Sequence, residues 1–524
     1  MFLSVILGIG YLISNFFHWV NPMERKESNP VAPRAYFISP SGNDKNAGTR
    51  DAAFQSIQRL NSISFNPGDS VLFEGGRHFA GSLVMHFENN PVEKRPVILI
   101  SSYGHGYATL NAGKESALDI EGAWWMEIKK LVLSGSGRKK GNVQDGLRIL
   151  NSQHVTVDSL NITGFQKSGL HIDFSGEIII KHIYAHENGF AGISVGGSDG
   201  DKKSNYKIYI GYCRAENNPG DPSNLHNHSG NGIIVSGCMD VMIEYCTATN
   251  NGWDMPRKGN GPVGIWAYEA DSVIIQHCLS YRNKTSVGGA DGGGFDLDGG
   301  VTHSIVQYCL SYENQGAGYC LFQYLYASPW HDNIFRYNIS ENDGAVSDAH
   351  GGVYLWNSAA DPDQFYNSRF YNNTIYNAKG SAVVYSTLSK KKGFAFYNNI
   401  FVARDSLLKG NADQDVFQGN DWWNLEHRLN RENRNGFESG FVDQGKGKPP
   451  VKRKISNRDP HFLKAGKAGI TSATSIKQFD HYKIPLSSPL RNSGIYIWRD
   501  YGIPGGVFDF NGKKPPAAGI GACF

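Results

Sequence analysis

The sequence has no excess of charge of either sign. Its 524 residues carry 51 lysines and arginines against 48 aspartates and glutamates, a formal net charge of +3. No long basic block stands out, so the electrostatic footprint of a nucleic-acid binder is missing. Cysteine is sparse and odd in number at seven, which fits no complete disulfide framework, and its spacing matches no zinc pattern. Lysine is absent from Thr285 to Ala378. An apolar run of membrane length falls at residues 3–20 (LSVILGIGYLISNFFHWV), followed by Arg25 and Lys26. It reads as an export signal or N-terminal membrane anchor, and Met23 as an alternative start. Residues 1–34, with Pro22, Pro30 and Pro33, are therefore set apart as signal or anchor and linker. This segment places the protein outside the cytoplasm: secreted, periplasmic or at the cell surface.

Glycine (62), tyrosine (26), phenylalanine (28) and tryptophan (10) are plentiful. That mixture suits an all-β chain with many turns. Residues 35–140 read as an N-terminal cap and first coils, with a short helix over Phe54–Leu60 and strands at Ser70–Phe73, Val97–Ser101 and Trp124–Leu133.

From about Asp145 the sequence repeats. A small residue followed by alternating positions recurs as Gly146–Leu150, Gly169–Asp173, Gly192–Gly196, Gly232–Ser236, Gly264–Tyr268, Gly294–Asp298, Gly318–Phe322 and Gly352–Trp356. A second motif follows most copies. Inside it Cys213, Cys246, Cys278 and Cys309 recur at intervals of 33, 32 and 31 residues. One small thiol per repeat is what an inward packing column selects. An asparagine column follows at Asn188, Asn217, Asn250, Asn283, Asn314 and Asn342. Two or three strands per repeat, with a fixed polar residue at each corner, predict stacked coils rather than a propeller, whose blades need about 40 to 45 residues. The predicted fold is all-β: a right-handed parallel β-helix with loop insertions on one face, the handedness following from the preference of parallel crossovers. Residues 141–400 form the regular coils with a groove, and 401–524 a C-terminal extension and cap covering the open end of the stack. A monomer is expected.

The repeat converts sequence into surface. Leu147, Leu170, Ile193, Ile233, Ile265, Phe295, Tyr319 and Val353 stack inward, and the residues between them point outward. Trp266 and Tyr268 lie one coil before Asp296 and Asp298; Phe322 lies one after, Tyr354 and Trp356 two after. Exposed aromatics at that density mark a binding surface, and flat rings suit sugars. Insertions carrying His226, His228, Asp291, Asp348 and His350 wall this groove, and Glu269 follows Tyr268. Asp296 and Asp298, at i and i+2, make a pair of acids suited to hydrolysis, with Asp291 positioning them. Close like charges push one of them towards the protonated form. No cofactor is required by this reading, although Asp291, Asp296 and Asp298 could instead hold Ca²⁺. His226 and His228 alone make a weak metal signal.

The segments ISPSGNDKNAGT, AFQSI, PGDSVLFEGG and GGFDLDGG resemble the pectin-lyase-like superfamily of right-handed β-helix proteins, over roughly residues 35–400. That resemblance implies a polysaccharide or oligosaccharide substrate and a carbohydrate-active enzyme. Two chemistries fit: a glycoside hydrolase using the aspartate pair, or a lyase acting by β-elimination on a uronic acid polymer with Ca²⁺. The superfamily's lyases often use a lysine or arginine base. The lysine-free stretch departs from that pattern, leaving Lys284 or Arg257 to reach in from a loop. A non-catalytic carbohydrate binder or an epimerase on the same scaffold remains the third reading.

Overall fold

Each sequence repeat closes one turn of a coil whose strands pair in parallel with those above and below. The computed structural model describes residues 32–88, 95–198, 200–345, 350–359, 361–386, 390–426, 441–442, 451–452, 456–503 and 508–524. Three parallel faces run the length of the stack within one sheet system. The first includes Leu147–Leu150, Ser168–Asp173, Ala191–Val195, Gly293–Leu297, Tyr319–Gln323 and Gly351–Asn357. Two long strands, Asn231–Glu244 and Val263–Gln276, bend from this face into the second. The third holds short strands such as Leu279–Tyr281 and Leu310–Tyr312.

The registers follow the repeat. Leu147 pairs with Leu170, Leu170 with Ile193, Ile193 with Ile233, Ile233 with Ile265, Ile265 with Phe295, Phe295 with Tyr319 and Tyr319 with Val353. All eight side chains are fully buried. Tyr319 is tolerated in this apolar column because its hydroxyl donates to the carbonyl oxygens of Cys309 (2.8 Å) or Ile339 (3.0 Å). The four repeated cysteines are buried and free. Each thiol lies 3.2–3.3 Å from the carbonyl two residues earlier.

The asparagine column is shifted by one residue in three coils. The buried ladder is Asn188, Asn218, Asn251, Asn283 and Asn314, ending at Asp343, each amide donating to the next oxygen at 2.8–3.2 Å. Asn217, Asn250 and Asn342 sit just before it in the left-handed region (φ 53°, 53° and 55°), which asparagine tolerates. The ladder stands at the bend leading into the first face, and the loops around 219–230, 252–262 and 284–292 leave from it.

Three expectations change. Insertions enter at both ends of the first-face strands, since 324–329 leaves from the opposite corner. The described part of the C-terminal segment from about 460 onward lies along the flank of the stack. Ala473, Ile476, Phe479 and Tyr482 pack on Leu279, Tyr281, Leu310 and Tyr312 of the third face, and the Ala473 amide donates to Thr247 Oγ1 at 3.0 Å. The outward side of those coils is apolar, so the tail buries what would otherwise be exposed. The predicted helix is shorter, Ile57–Leu60, capped by Ser56. Much of the extension between 427 and 455, and the apolar run 3–20, lie outside the described residues. No helix among the described residues is long and apolar enough to cross a membrane.

Candidate active site

On the first face, Phe295 and Leu297 point inward and are fully buried, which turns Asp296 and Asp298 outward. Their neighbours are set by register: Trp266 beside Asp296 on one side, Cys320 on the other, with Tyr354 beyond Cys320 and Trp356 beyond Phe322. Loops from both corners close over this patch and leave a cavity of ≈ 860 Å³. Asp291 and Asp298 line it, with Glu269 and Arg257.

The aromatic residues form two walls rather than one exposed stripe. On one side Trp266, only 3% exposed, packs with Ile234, Val263 and Tyr268; its ring stacks with Tyr268 at 5.4 Å. On the other, Phe322 meets Tyr354 and Trp356 edge-on at 5.4 and 5.9 Å, and His350 lies 5.0 Å from Tyr354. All of these except Ile234 and Val263 line the cavity, as does His228. Tyr324, Tyr326 and Ser328 complete the second wall from the 324–329 loop.

Asn231 fixes the chemistry of His228. Its Oδ1 accepts from the Trp266 indole N–H (3.2 Å) and the Val263 amide (3.3 Å), both pure donors. The side-chain nitrogen of Asn231 therefore faces His228 Nδ1 at 3.0 Å and donates to it. Burial, helped by the nearby Arg257 charge, holds the imidazole at about 4. At neutral pH the ring is uncharged with its proton on Nε2, a hydrogen-bond donor. His350 is likewise pushed to about 4 by burial, and its Nδ1 is buried without a partner.

The carboxyl groups are pushed the other way. Burial raises Asp291 to about 6, opposed by the Gly261 amide that donates to its Oδ2 at 2.6 Å and by Arg257. Burial raises Asp298 to about 7, with the charges of Asp291 and Glu269 adding to it and the Gly299 amide (2.7 Å to Oδ1) opposing. Asp296 is raised well above the ordinary carboxylate range by burial and by the charges of Asp298 and Asp291. It is 1% exposed, its Oδ1 has no hydrogen-bond partner, and it does not line the cavity. Glu269 accepts from the Ser328 amide at 2.8 Å through Oε1, while Oε2 is buried without a hydrogen-bond partner. Gly300 favours glycine because its backbone is in the left-handed region (φ 76°), and a Cβ there would also press on that carboxylate.

The model of the Pel9A-like right-handed β-helix region matches residues 36–333, more than half of the chain. The chain belongs to the Pel9A-like right-handed β-helix family. Within the solved structures, this Pel9A-like chain resembles the GH136 lacto-N-biosidase from Eubacterium ramulus, with a TM-score of 0.50 and 17% identity over 73% of this chain and 67% of that one. Pectate lyase Pel9A aligns over 94% of this chain and 97% of its own at 14% identity and a TM-score of 0.43. The Azotobacter vinelandii mannuronan C-5 epimerase AlgE6 A-module aligns over 67% and 90% at 13% identity and a TM-score of 0.49. Such identities speak to the fold alone. No curated protein matches the chain significantly.

Ten of the sequence-predicted site residues line the cavity of this Pel9A-like chain: Asp291, Asp298, Glu269, His228, His350, Trp266, Tyr268, Phe322, Tyr354 and Trp356. Asp296 does not line it and is 1% exposed, with Trp266 and Cys320 as its neighbours on the adjacent strands. His226 is exposed and apart from the cavity, and its carbonyl receives the Arg257 guanidinium. Asp348 lies outside the described residues. The sequence reading did not select Asn227, Asn260, Tyr324, Tyr326 and Ser328; the aromatic-rich run Phe322–Tyr326 was the available signal.

Calcium fits this site poorly. Among the described residues, the set of three His, Cys, Asp or Glu ligand atoms lying within 4.8 Å of one another is His303, His331 and Asp332, not the aspartates. Two of the three aspartates already accept backbone amides, and Asp296 is sealed below the floor.

Proposed function

We propose that the protein is a glycoside hydrolase that binds a neutral saccharide chain in this cavity, with Asp298 as general acid and Asp291 as its carboxylate partner. The observation that carries this is a pair of cavity-lining carboxyls held at about 6 and about 7, so that near neutrality one is ionised while the other keeps its proton. Arg257 favours the ionised form of Asp291, and the charges of Asp291 and Glu269 favour the protonated form of Asp298. Asp298 donates its proton to the glycosidic oxygen as the C–O bond breaks. Asp291 supplies the electron pair, either to the anomeric carbon directly or by taking a proton from the attacking water. The Trp266 and Tyr268 wall on one side, and Phe322, Tyr354 and Trp356 on the other, hold the sugar rings across the scissile bond, while neutral His228 offers its Nε2–H to a hydroxyl. Asp296, already protonated, helps hold the acids at raised values by keeping the floor dry.

The charge of the lining favours a neutral substrate. Among the described lining residues, three acidic side chains face one cation, Arg257, and a polyuronate would meet repulsion there. Elimination is the second reading, supported by that same Arg257, which stands beside Asp291 as a candidate base. The family membership and the apolar amino-terminal run support a secreted, periplasmic or surface location. The deciding assay incubates the protein with neutral and uronic polysaccharides and follows reducing ends together with the ultraviolet absorbance of unsaturated products. New reducing ends without absorbance are expected; both rising together would establish elimination instead.

A further inference from the structure

We propose that His303, His331 and Asp332 form a binding site for one divalent transition cation of the Zn²⁺ type, separate from the saccharide cavity. The three occupy the corner between the first and second faces, on two successive coils. His331 Nδ1 lies 2.6 Å from Asp332 Oδ2, and His303 Nε2 lies 4.0 Å from the same oxygen. One ligand atom from each of the three falls within 4.8 Å of the other two. Two imidazoles and a carboxylate are the donor set of open zinc sites, and tetrahedral ligands at about 2.0–2.2 Å from the metal stand about 3.3 Å from one another. Reaching that spacing needs one contact to open and another to close by about 0.7 Å. The His303 side chain is 57% exposed and is free to make that movement.

The surroundings already hold His303 in ligating form. Asp271, from the preceding coil, sits 2.7 Å from His303 Nδ1, which takes the proton there and turns Nε2 toward Asp332. Asp271 is itself fixed by the Thr302 hydroxyl at 2.5 Å. That is the carboxylate–histidine arrangement that sets the tautomer of metal-bound imidazoles. On the next coil the Asn367 amide donates to Asp332 Oδ1, so Oδ2 keeps only the His331 Nδ1 contact, which a bound cation would replace. The His331 ring stacks on Tyr366 at 4.8 Å.

The same chain supplies its own control. The corner column reads Ser272, His303, Asp332 and Asn367, all in the left-handed region (φ 56°, 50°, 57° and 49°). The column before it reads Asp271, Thr302, His331 and Tyr366, with Asp271 bridged to Thr302 and Thr302 to His331. The backbone is repeated while the donor set occurs at one level of the stack. That level is mechanically coupled to the Asp298 strand, because the indole of Trp330 donates to the Leu297 carbonyl at 2.9 Å. A bound cation would join the coil bearing Asp298 to the one after it.

The test uses the untagged full chain, stripped with EDTA and titrated with Co²⁺ and then Zn²⁺. Saturation at one equivalent is expected, with visible Co²⁺ absorption bands that Zn²⁺ abolishes and excess Mg²⁺ leaves in place. His303→Gln and Asp332→Asn should each weaken Zn²⁺ binding at least about tenfold, and Asp271→Ala about 10–100-fold through loss of the orienting carboxylate. His105→Gln, an exposed histidine elsewhere, should not change it. His303→Gln should melt with the metal-free protein, showing that the fold is intact. No saturable binding, displacement of Co²⁺ by Mg²⁺, or an unchanged affinity in His303→Gln would overturn the proposal.

Discussion

Replacing Asp298 with asparagine should make the protein more stable and far less active, and the two effects should depend on pH in a fixed way. Burial holds the Asp298 carboxyl at about 7 against an ordinary 3.8. Below 3.8 the group is protonated in both folded and unfolded chains and contributes nothing to the difference. As pH rises towards 7, the unfolded chain gives up this proton and the folded one retains it. The wild type therefore loses about 1.4 kcal/mol of stability per pH unit relative to the variant, and the loss levels off above about 7. The full interval corresponds to roughly 4 kcal/mol; because Asp298 lines the cavity and is only partly shielded from solvent, about 2–4 kcal/mol is expected at pH 8. Urea unfolding of both proteins at pH 4.5, 6 and 8 measures this gap directly, provided the transition is cooperative. Activity should fall about 10²–10⁴-fold with the proton donor gone. A gap that is absent at pH 8, or that does not narrow towards pH 4.5, would refute the assignment of a buried acid here. Full activity in the variant would refute its role.

The remaining expectations are smaller in scope. Asp296→Asn should cost less than about tenfold in kcat/KM, since an already protonated carboxyl below the cavity floor is replaced by a neutral group of the same shape, whereas Asp291→Asn should cost about 10²–10⁴-fold. The pH profile of kcat/KM should be a narrow bell, rising near 6 as Asp291 ionises and falling near 7 as Asp298 deprotonates, and Asp298→Asn should remove the falling limb. Trp356→Ala should raise KM about tenfold with little change in kcat, as measured on an oligosaccharide substrate, because it removes a ring that only holds sugar. Asn251→Ala breaks the ladder between Asn218 and Asn283 and leaves their amides unmatched, lowering the unfolding free energy by about 1–3 kcal/mol in a urea titration.

What could be read from the sequence follows from what a period of two encodes. Inward columns such as Ile265, Phe295 and Tyr319 are legible because a single slip would turn every apolar group to water. The same alternation names the neighbours of Asp298 correctly. It does not say how deep an outward residue lies, and so Asp296 read as exposed although it is buried between Trp266 and Cys320 of the adjacent strands. Asparagine pairs hide their own phase: in Asn217-Asn218 and Asn250-Asn251 either member could take the ladder, and only the backbone conformation decides. Loops carry no period at all. Tyr324, Tyr326 and Ser328 reach the cavity because the chain turns back over Gly299, where a Cβ would fall 2.4 Å from the Tyr324 ring.

The position of Asp298 also explains why the scaffold is so regular around it. On the first face, the column beside it, that of Asp296, holds Ile234, Trp266, Cys320 and Tyr354 in other coils, and these stabilise the stack by burial. Asp291, Asp296 and Asp298 bring three acids into the same surroundings, where each is raised chiefly by burial, and Asp296 and Asp298 further by neighbouring negative charge. Such a cluster opposes folding, and a single isolated sheet would relieve it by opening to solvent. Here the coil is held at every corner: by the Asn251–Asn283–Asn314 ladder on one side, by the Trp330 indole on Leu297 on another, and by the Phe295–Tyr319 stack below (5.5 Å between ring centroids). Relaxation at one level would break ladders shared with the coils on either side, so the acids stay dry and their proton affinities stay high. The repetition of the sequence is thus part of the chemistry, because it supplies the stiffness that keeps a destabilising group in place.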